Sequence, residues 1–249
     1  DAASGRPLNF LGQSAARYLG VDLPPAAVAA PVADRVLAAY IDDNTSTLQV
    51  LDTAADTLLG SVALPAPASN ATWDVAVAPD QMLAYVADMS GQQIWVTDLN
   101  TLSLAAGTNP ISVSPAYPLD LEITPDGRYL LVAGGGTLLV VDTGSRSVVS
   151  GWGVSAEAVA VDSLGRVLVA GSGGVRLFQL GAGGQLRDLG SYLPAAGVSN
   201  VVLAPDGQTG VAIRRDTNSL QSFLIPWLSP VDTRSLPGMV PALCGVFTP

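Results

Sequence analysis

The stretch LDLEITPDGRYLLVAGGGTLLVVDTGS, residues 119–145, decides the fold. An apolar run breaks at Thr-Pro-Asp-Gly, resumes as YLLVAG, breaks at two more glycines and closes on a third run ending in Asp142. Short Val, Leu and Ala runs bounded by Gly, Pro and Asp read as strands joined by tight turns, each too short for a helix. Gly127 supplies the permissive backbone of the Pro-Asp-Gly turn.

The same phrase recurs along the chain. WDVAVAPDQMLAYVAD (73–88), EAVAVDSLGRVLVAG (157–171) and SNVVLAPDGQTGVAI (199–213) repeat strand, turn and strand, with Gly165 and Gly207 standing where Gly127 does. A third strand follows in QQIWVTDLN (92–100), TLLVVDTGS (137–145), GVRLFQLGA (174–182) and SLQSFLIPW (219–227). A weaker fourth comes next, as in RSVVSGWGV (146–154) and QLRDLGSYL (185–193). A four-stranded unit of about forty residues is the sequence mark of a propeller blade.

Upstream, ADRVLAAYIDDNTSTLQVLDTAADTLLGSVAL (33–64) supplies only the second, third and fourth strands of such a unit. The piece it lacks stands at the other end, where PALCGVFTP (241–249) finishes on Thr-Pro as DLEITP does. The turn positions Pro79, Pro125, Ser163, Pro205 and Pro249 are spaced by 46, 38, 42 and 44 residues, and Asp34 to Pro79 is 45. This arithmetic predicts an all-β, five-bladed propeller of four-stranded blades. Pairing of the C-terminal strand with the N-terminal blade would close it and remove two sheet edges. A two-sheet sandwich is the competing architecture, but it needs no regular unit.

The propeller is thus assigned to residues 33–249 and an N-terminal arm to 1–32. Within the arm, PLNFLGQSAARYLGVDLPP predicts a short helix from Asn9 to Leu19, with Phe10, Leu11 and Tyr18 near one face. PPAAVAAPV then reads as an extended linker. The arm either docks on a partner subunit or folds back to cap its own propeller.

APDQMLAYVADMSGQQIWVTDLNTLS (78–103) and TPDGRYLLVAGGGTLLVVDTGSRSVV (124–149) resemble the YVTN family of β-propeller repeats. That family occurs in secreted and surface proteins and is related to lactonase-like propellers. The resemblance runs over residues 33–249 and implies a propeller. It is nearly silent on activity, because propellers host unrelated functions.

Composition narrows the function classes. A chain of 249 residues buries enough surface to need no staples. Although 49% of residues are hydrophobic and 13% charged, no uninterrupted apolar segment approaches the ~18–20 residues of a membrane helix. All 11 basic residues are arginine, and 21 acids give a net charge of −10, which disfavours nucleic acid and anionic lipid as partners. There is no histidine. That removes the commonest general base, the usual transition-metal ligand, and both Ser-His-Asp and Cys-His catalysis within the chain. One cysteine allows no internal disulfide. A start at Asp1 without Met points to a processed, extracytoplasmic protein: periplasmic, secreted or at the cell surface.

Alignment on the turn puts Asp74, Asp120, Ala158, Asn200 and Cys244 in equivalent places, with Glu157 one residue before Ala158. Asp74, Asp120, Glu157 and Asn200 form a hard-oxygen set suited to Ca2+ near one mouth of the channel. The alternative is that they bond backbone groups or water there. Cys244 reads as a small buried free thiol. The loops DDNTST (42–47), DMSGQQ (88–93) and RRDTNS (214–219) are equivalent. Asp42, Asp43 and Asp88, with Trp95, could there hold a partner protein or a surface glycan, or serve as solvated turn chemistry. NTS (44–46) and NAT (70–72) match the N-glycosylation sequon.

These observations favour a non-catalytic, exported interaction or scaffold propeller, a subunit of a larger assembly with protein partners and no cofactor beyond Ca2+. One alternative is a carbohydrate-binding propeller. Another is a metal-dependent, lactonase-like hydrolase in which metal-bound water replaces histidine as the base.

Overall fold

Val, Leu and Ala runs too short for helices become strands throughout. In the computed structural model the backbone is described for residues 28–32, 35–42, 47–52, 57–65, 74–192, 197–204, 207–214, 217, 219–225 and 229–235, and every regular element among them is a β-strand. The helix expected over Asn9–Leu19 lies outside the described residues. The chain divides into two compact units, residues 1–112 and 113–249.

The first unit holds two antiparallel sheets. In the first, β1 (Val28–Val32), β2 (Arg35–Asp42), β3 (Thr47–Asp52) and β4 (Thr57–Ala63) lie side by side in chain order. The place beside β2, assigned above to residues 241–249, is taken by Val28–Val32, with Ala30 opposite Leu37. The physical reason is proximity. Two residues separate β1 from β2, so the hairpin closes at far less entropic cost than pairing across most of the chain. Pro31 is tolerated because β1 is an edge strand and needs no ladder on its outer side. Residues 241–249, Cys244 included, lie outside the described residues.

The second sheet runs β5 (Val75–Val77), β6 (Leu83–Asp88) and β7 (Gln93–Asp98), and its fourth rail is split between β8 (Ser103–Leu104) and β9 (Ile111–Ser112), both paired to β7. Asn109 bridges the gap with its side chain. Its amide oxygen accepts the Val96 N–H at 3.0 Å, and its NH2 donates to Val96 O at 2.7 Å and Ala105 O at 3.1 Å. One side-chain amide thus stands in for a missing peptide of the outer strand. Leu48, Val50 and Val62 of the first sheet and Val75, Ala84 and Val86 of the second form one buried cluster, against which Trp95 and Leu102 pack. Each such fully buried Leu or Val contributes ~1.5–3 kcal/mol.

The second unit holds three sheets, each in chain order. They are β10 (Pro118–Ile123) to β11 (Tyr129–Gly134), β12 (Thr137–Asp142) and β13 (Ser147–Gly153); then β14 (Ala158–Val161), β15 (Arg166–Gly171), β16 (Gly174–Leu180) and β17 (Leu186–Tyr192); then β18 (Val198–Leu203), β19 (Thr209–Arg214), β20 (Ser219–Leu224) and β21 (Ser229–Ser235). Every residue of β11 is buried, which is why it reads as a continuous apolar run rather than an alternation. Leu131 and Val140 of the third sheet meet Val159, Val169 and Phe178 of the fourth, and Leu168 and Leu177 of the fourth meet Val201 and Phe223 of the fifth.

Two irregularities repeat. The turn between first and second strands carries a left-handed residue at one place: Gln81 (φ 57°), Gly127 (72°), Gly165 (72°) and Gly207 (61°). The register between third and fourth strands slips at the same place in four sheets, between Val50 and Leu51, Val140 and Val141, Leu177 and Phe178, and Ser222 and Phe223. Such bulges bend the outermost strand and spoil it as a template for edge pairing.

Candidate functional site

The strand register bears out the alignment of the opening positions. Asp120 faces Ala133, Ala158 faces Ala170 and Asn200 faces Ile213, while the Asp74 carbonyl accepts the Ala87 N–H at 2.8 Å. Asp74 belongs to the first unit, and Asp120, Glu157 and Asn200 to the second. The Asp120 carboxylate has a backbone partner. Because Asp162 N–H donates to Arg166 O, the odd-numbered N–H groups of β14 point away from β15. The N–H of buried Val159 would be orphaned there, and Asp120 Oδ2 accepts it at 2.6 Å. Glu157 and Asn200 are half-buried, each at the opening of a different sheet. Among the described residues no three His, Cys, Asp or Glu side chains stand where they could hold a metal ion.

Asp88 and Trp95 do come together. Asp88 is buried, and its Oδ1 accepts the Ser90 hydroxyl at 2.9 Å and the Gly91 N–H at 2.8 Å, while Oδ2 accepts the Gln93 amide at 2.9 Å. Burial pushes this carboxyl up, but bonds from Gly91, Gln93 and Ser90, with the pull of the Trp95 indole, outweigh it and hold the group below its usual range. The indole nitrogen of Trp95 is itself buried and reaches no described residue in ordinary hydrogen-bond geometry. Asp88 is therefore spent on its own hairpin. Asp42 ends β2 opposite Thr47. Asp43, Phe10, Leu11 and Tyr18 lie outside the described residues.

Sequence reasoning passed over a cleft of about 290 Å³ between the third and fourth sheets. One wall is the TPDGRY turn and the other the equivalent DSLGR turn with the end of β16. Tyr129 forms part of the lining, its hydroxyl donating to Ala182 O at 2.6 Å across the two sheets. Arg128 lies over the Tyr129 ring, 5.0 Å from its centroid. Asp126 accepts the Thr124 hydroxyl at 2.6 Å and the Arg128 N–H at 3.0 Å. Those two bonds, Thr124 first, hold its carboxyl below the ordinary range. Asp162 is ion-paired to Arg166 at 2.6 Å.

The outer strands expose large apolar side chains. Leu58 and Leu59 of β4, Val148, Val149 and Trp152 of β13, and Leu189 of β17 are all exposed, Val149 at 42%. Leu59, Val149 and Leu189 are the bulged residues themselves. Leu189 sits in a largely polar strand, Leu-Arg-Asp-Leu-Gly-Ser-Tyr, whereas Leu59 and Val149 each follow a second exposed apolar residue, Leu58 and Val148.

No protein-family model matches the chain, and no curated protein matches it by sequence. Solved structures do match by shape. A functionally unknown protein from Desulfotomaculum acetoxidans DSM 771 aligns with a TM-score of 0.70 at 14% identity, over 86% of this chain and 72% of that one. Hydrazine synthase from Kuenenia stuttgartiensis aligns with a TM-score of 0.63 at 17% identity, over 84% of this chain and 66% of its own. The β-propeller domain of Myceliophteria thermophila Cps50 (Swd1) aligns with a TM-score of 0.53 at 12% identity, over 86% of both chains. At these identities the likeness concerns fold alone. Over its described residues the chain is all-β, built of repeated antiparallel sheets, and its fold resembles that of a β-propeller.

Proposed function

We propose that this chain is a non-catalytic interaction propeller of YVTN type, with five blades closed into a ring, that works outside the cytoplasm as a scaffold within a larger assembly. The observation that carries the reading is the recurrence of exposed Leu59, Val149 and Leu189 at one bulged place on the outer strands of the first, third and fourth sheets. Exposed apolar side chains are what protein partners bury. The acidic surface, with its net charge of −10, favours a partner with a basic rim. The commitment of Asp120 to Val159 supports a structural use of the opening positions over a hydrolytic one.

A photo-crosslinking residue placed at Val149, in the full chain expressed in its native source, tests this. The expected result is a discrete protein adduct that is lost when the same residue is placed at Arg187. Equal, diffuse labelling at both sites would overturn the reading. Lactone hydrolysis abolished by Asp120→Ala in a chain that still folds would overturn it in favour of an enzyme.

A further inference from the structure

We propose that the cleft between the third and fourth sheets is a self-association site: Leu164 of one copy enters the cleft of a second copy, and the exchange is mutual. The turn hydrogen bonds single out Leu164. Thr124 N–H donates to Tyr129 O, Asp162 N–H to Arg166 O, Ala204 N–H to Thr209 O and Ala78 N–H to Leu83 O. Inside each pair a second bond closes the turn, from Gly127 to Thr124 O, Gly165 to Asp162 O, Gly207 to Ala204 O and Gln81 to Ala78 O. The residue just before that second donor is Asp80 in the second sheet, Asp126 in the third and Asp206 in the fifth, but Leu164 in the fourth.

An aspartate there serves its own turn. Asp126 Oδ1 accepts the Arg128 N–H at 3.0 Å, and Asp80 Oδ1 the Met82 N–H at 2.9 Å. The fourth sheet's turn is one residue shorter, and Asp162 takes over that work, its Oδ1 accepting the N–H groups of Leu164 and Arg166, both at 2.9 Å. The side chain at 164 is thus released from the turn. It is 68% exposed, the most exposed large apolar side chain among the described residues. A single exposed leucine is ordinary on a protein surface; one that replaces the aspartate of three sister turns, at the lip of a partly apolar cleft, is not.

The occupant is a second copy because one patch carries both halves of the contact. Leu164 lines the same cleft as Pro125, Leu180 and Ala182. A knob beside its own hole is self-complementary, which is the condition for a two-fold contact between identical chains. The cleft, about 290 Å³, has room for a leucine side chain. Charge favours the same place. The chain carries −10, so two copies repel on average. At the cleft the signs balance: Asp162 is ion-paired to Arg166 at 2.6 Å, and the Arg128 charge acts on Asp126. Two copies brought together there meet little net charge.

Sedimentation equilibrium of the full chain over a wide range of concentration tests this. The expected result is a reversible monomer–dimer equilibrium, with amide exchange at Gly165 and Ala182 slowing as the dimer fills. Leu164→Asp restores the residue of the sister turns and should weaken dimerisation about a hundredfold or more, because two leucines per dimer lose their cover. Leu164→Ser should do the same without adding a charge beside Asp162. Leu189→Asp, on the outer strand assigned above to other partners, should leave the dimer unchanged. A chain that stays monomeric at every concentration overturns the inference. So does a dimer that survives both Leu164 variants, or one lost in Leu189→Asp instead, which would place the contact on the outer strands. Urea unfolding at a concentration where all are monomeric, expected to match the native chain for Leu164→Ser, separates lost association from lost folding. The scaffold reading stands or falls separately, on the adduct at Val149.

Discussion

Replacing Asn109 by alanine removes the side-chain amide that substitutes for a peptide of the outer strand. Val96 is fully buried and its N–H has Asn109 Oδ1 as acceptor at 3.0 Å, whereas Val96 O also receives the Ala105 N–H at 2.9 Å. The truncation therefore orphans one buried donor outright and thins two carbonyls. Three hydrogen bonds at ~0.5–1.5 kcal/mol each, with the orphan near the upper end, give a loss of about 2–4 kcal/mol. Asn109→Asp sharpens the test. An aspartate keeps the acceptor for Val96 N–H but sets a carboxylate against the carbonyls of Val96 and Ala105, which raises its folded-state pKa above the unfolded value. The variant is then least impaired below about pH 4, where the acid form can still donate one bond, and its deficit grows as pH rises through that range. Urea unfolding followed by tryptophan fluorescence, with hydrogen exchange at Val96, reads both effects. A loss under about 0.5 kcal/mol in Asn109→Ala, or a pH-independent Asn109→Asp, would refute the peptide-substitute account.

Asp88→Asn should cost about 1–2 kcal/mol at neutral pH, because an amide cannot accept all three bonds that converge on the carboxylate. The native carboxyl is held low, so its contribution is full above about pH 3.9 and is lost as pH falls through the folded-state value. The two proteins should converge in acid urea titrations, and a gap that widened instead would contradict the assignment. Gly134→Ala and Gly171→Ala should each cost ~1–3 kcal/mol or more, since a Cβ would meet Tyr117 O at 1.8 Å and Ser155 O at 2.4 Å. Gly153→Ala, with nothing within 4 Å, should stay within ~0.5 kcal/mol, and chemical denaturation of the three variants separates them.

The repeat was legible because its turn is chemically narrow. The Pro-Asp-Gly-like turn demands a left-handed residue, and Gly127, Gly165 and Gly207 supply it 38 and 42 residues apart, between apolar runs. The first strand was misread for an equally physical reason. VAAPV carries a proline and two alanines and looks like linker, while ALCGVFTP carries the better pattern. What decides the pairing is the two-residue hairpin before Arg35, a matter of chain connectivity rather than side-chain type. The split fourth rail was hidden because Asn109 acts as backbone, which no hydrophobic period reports. The cleft between the third and fourth sheets was not legible, because the fourth sheet's turn is one residue shorter than the third's and a shared Gly-Arg step conceals the shift.

The most direct test of the central claim is a crystal structure of the full chain. The account predicts five antiparallel sheets set as blades around one axis, with Ala30 opposite Leu37 in the first and Val149 at an exposed bulge. Sheets stacked as a sandwich, or residues 241–249 in the place of Val28–Val32 beside β2, would contradict it.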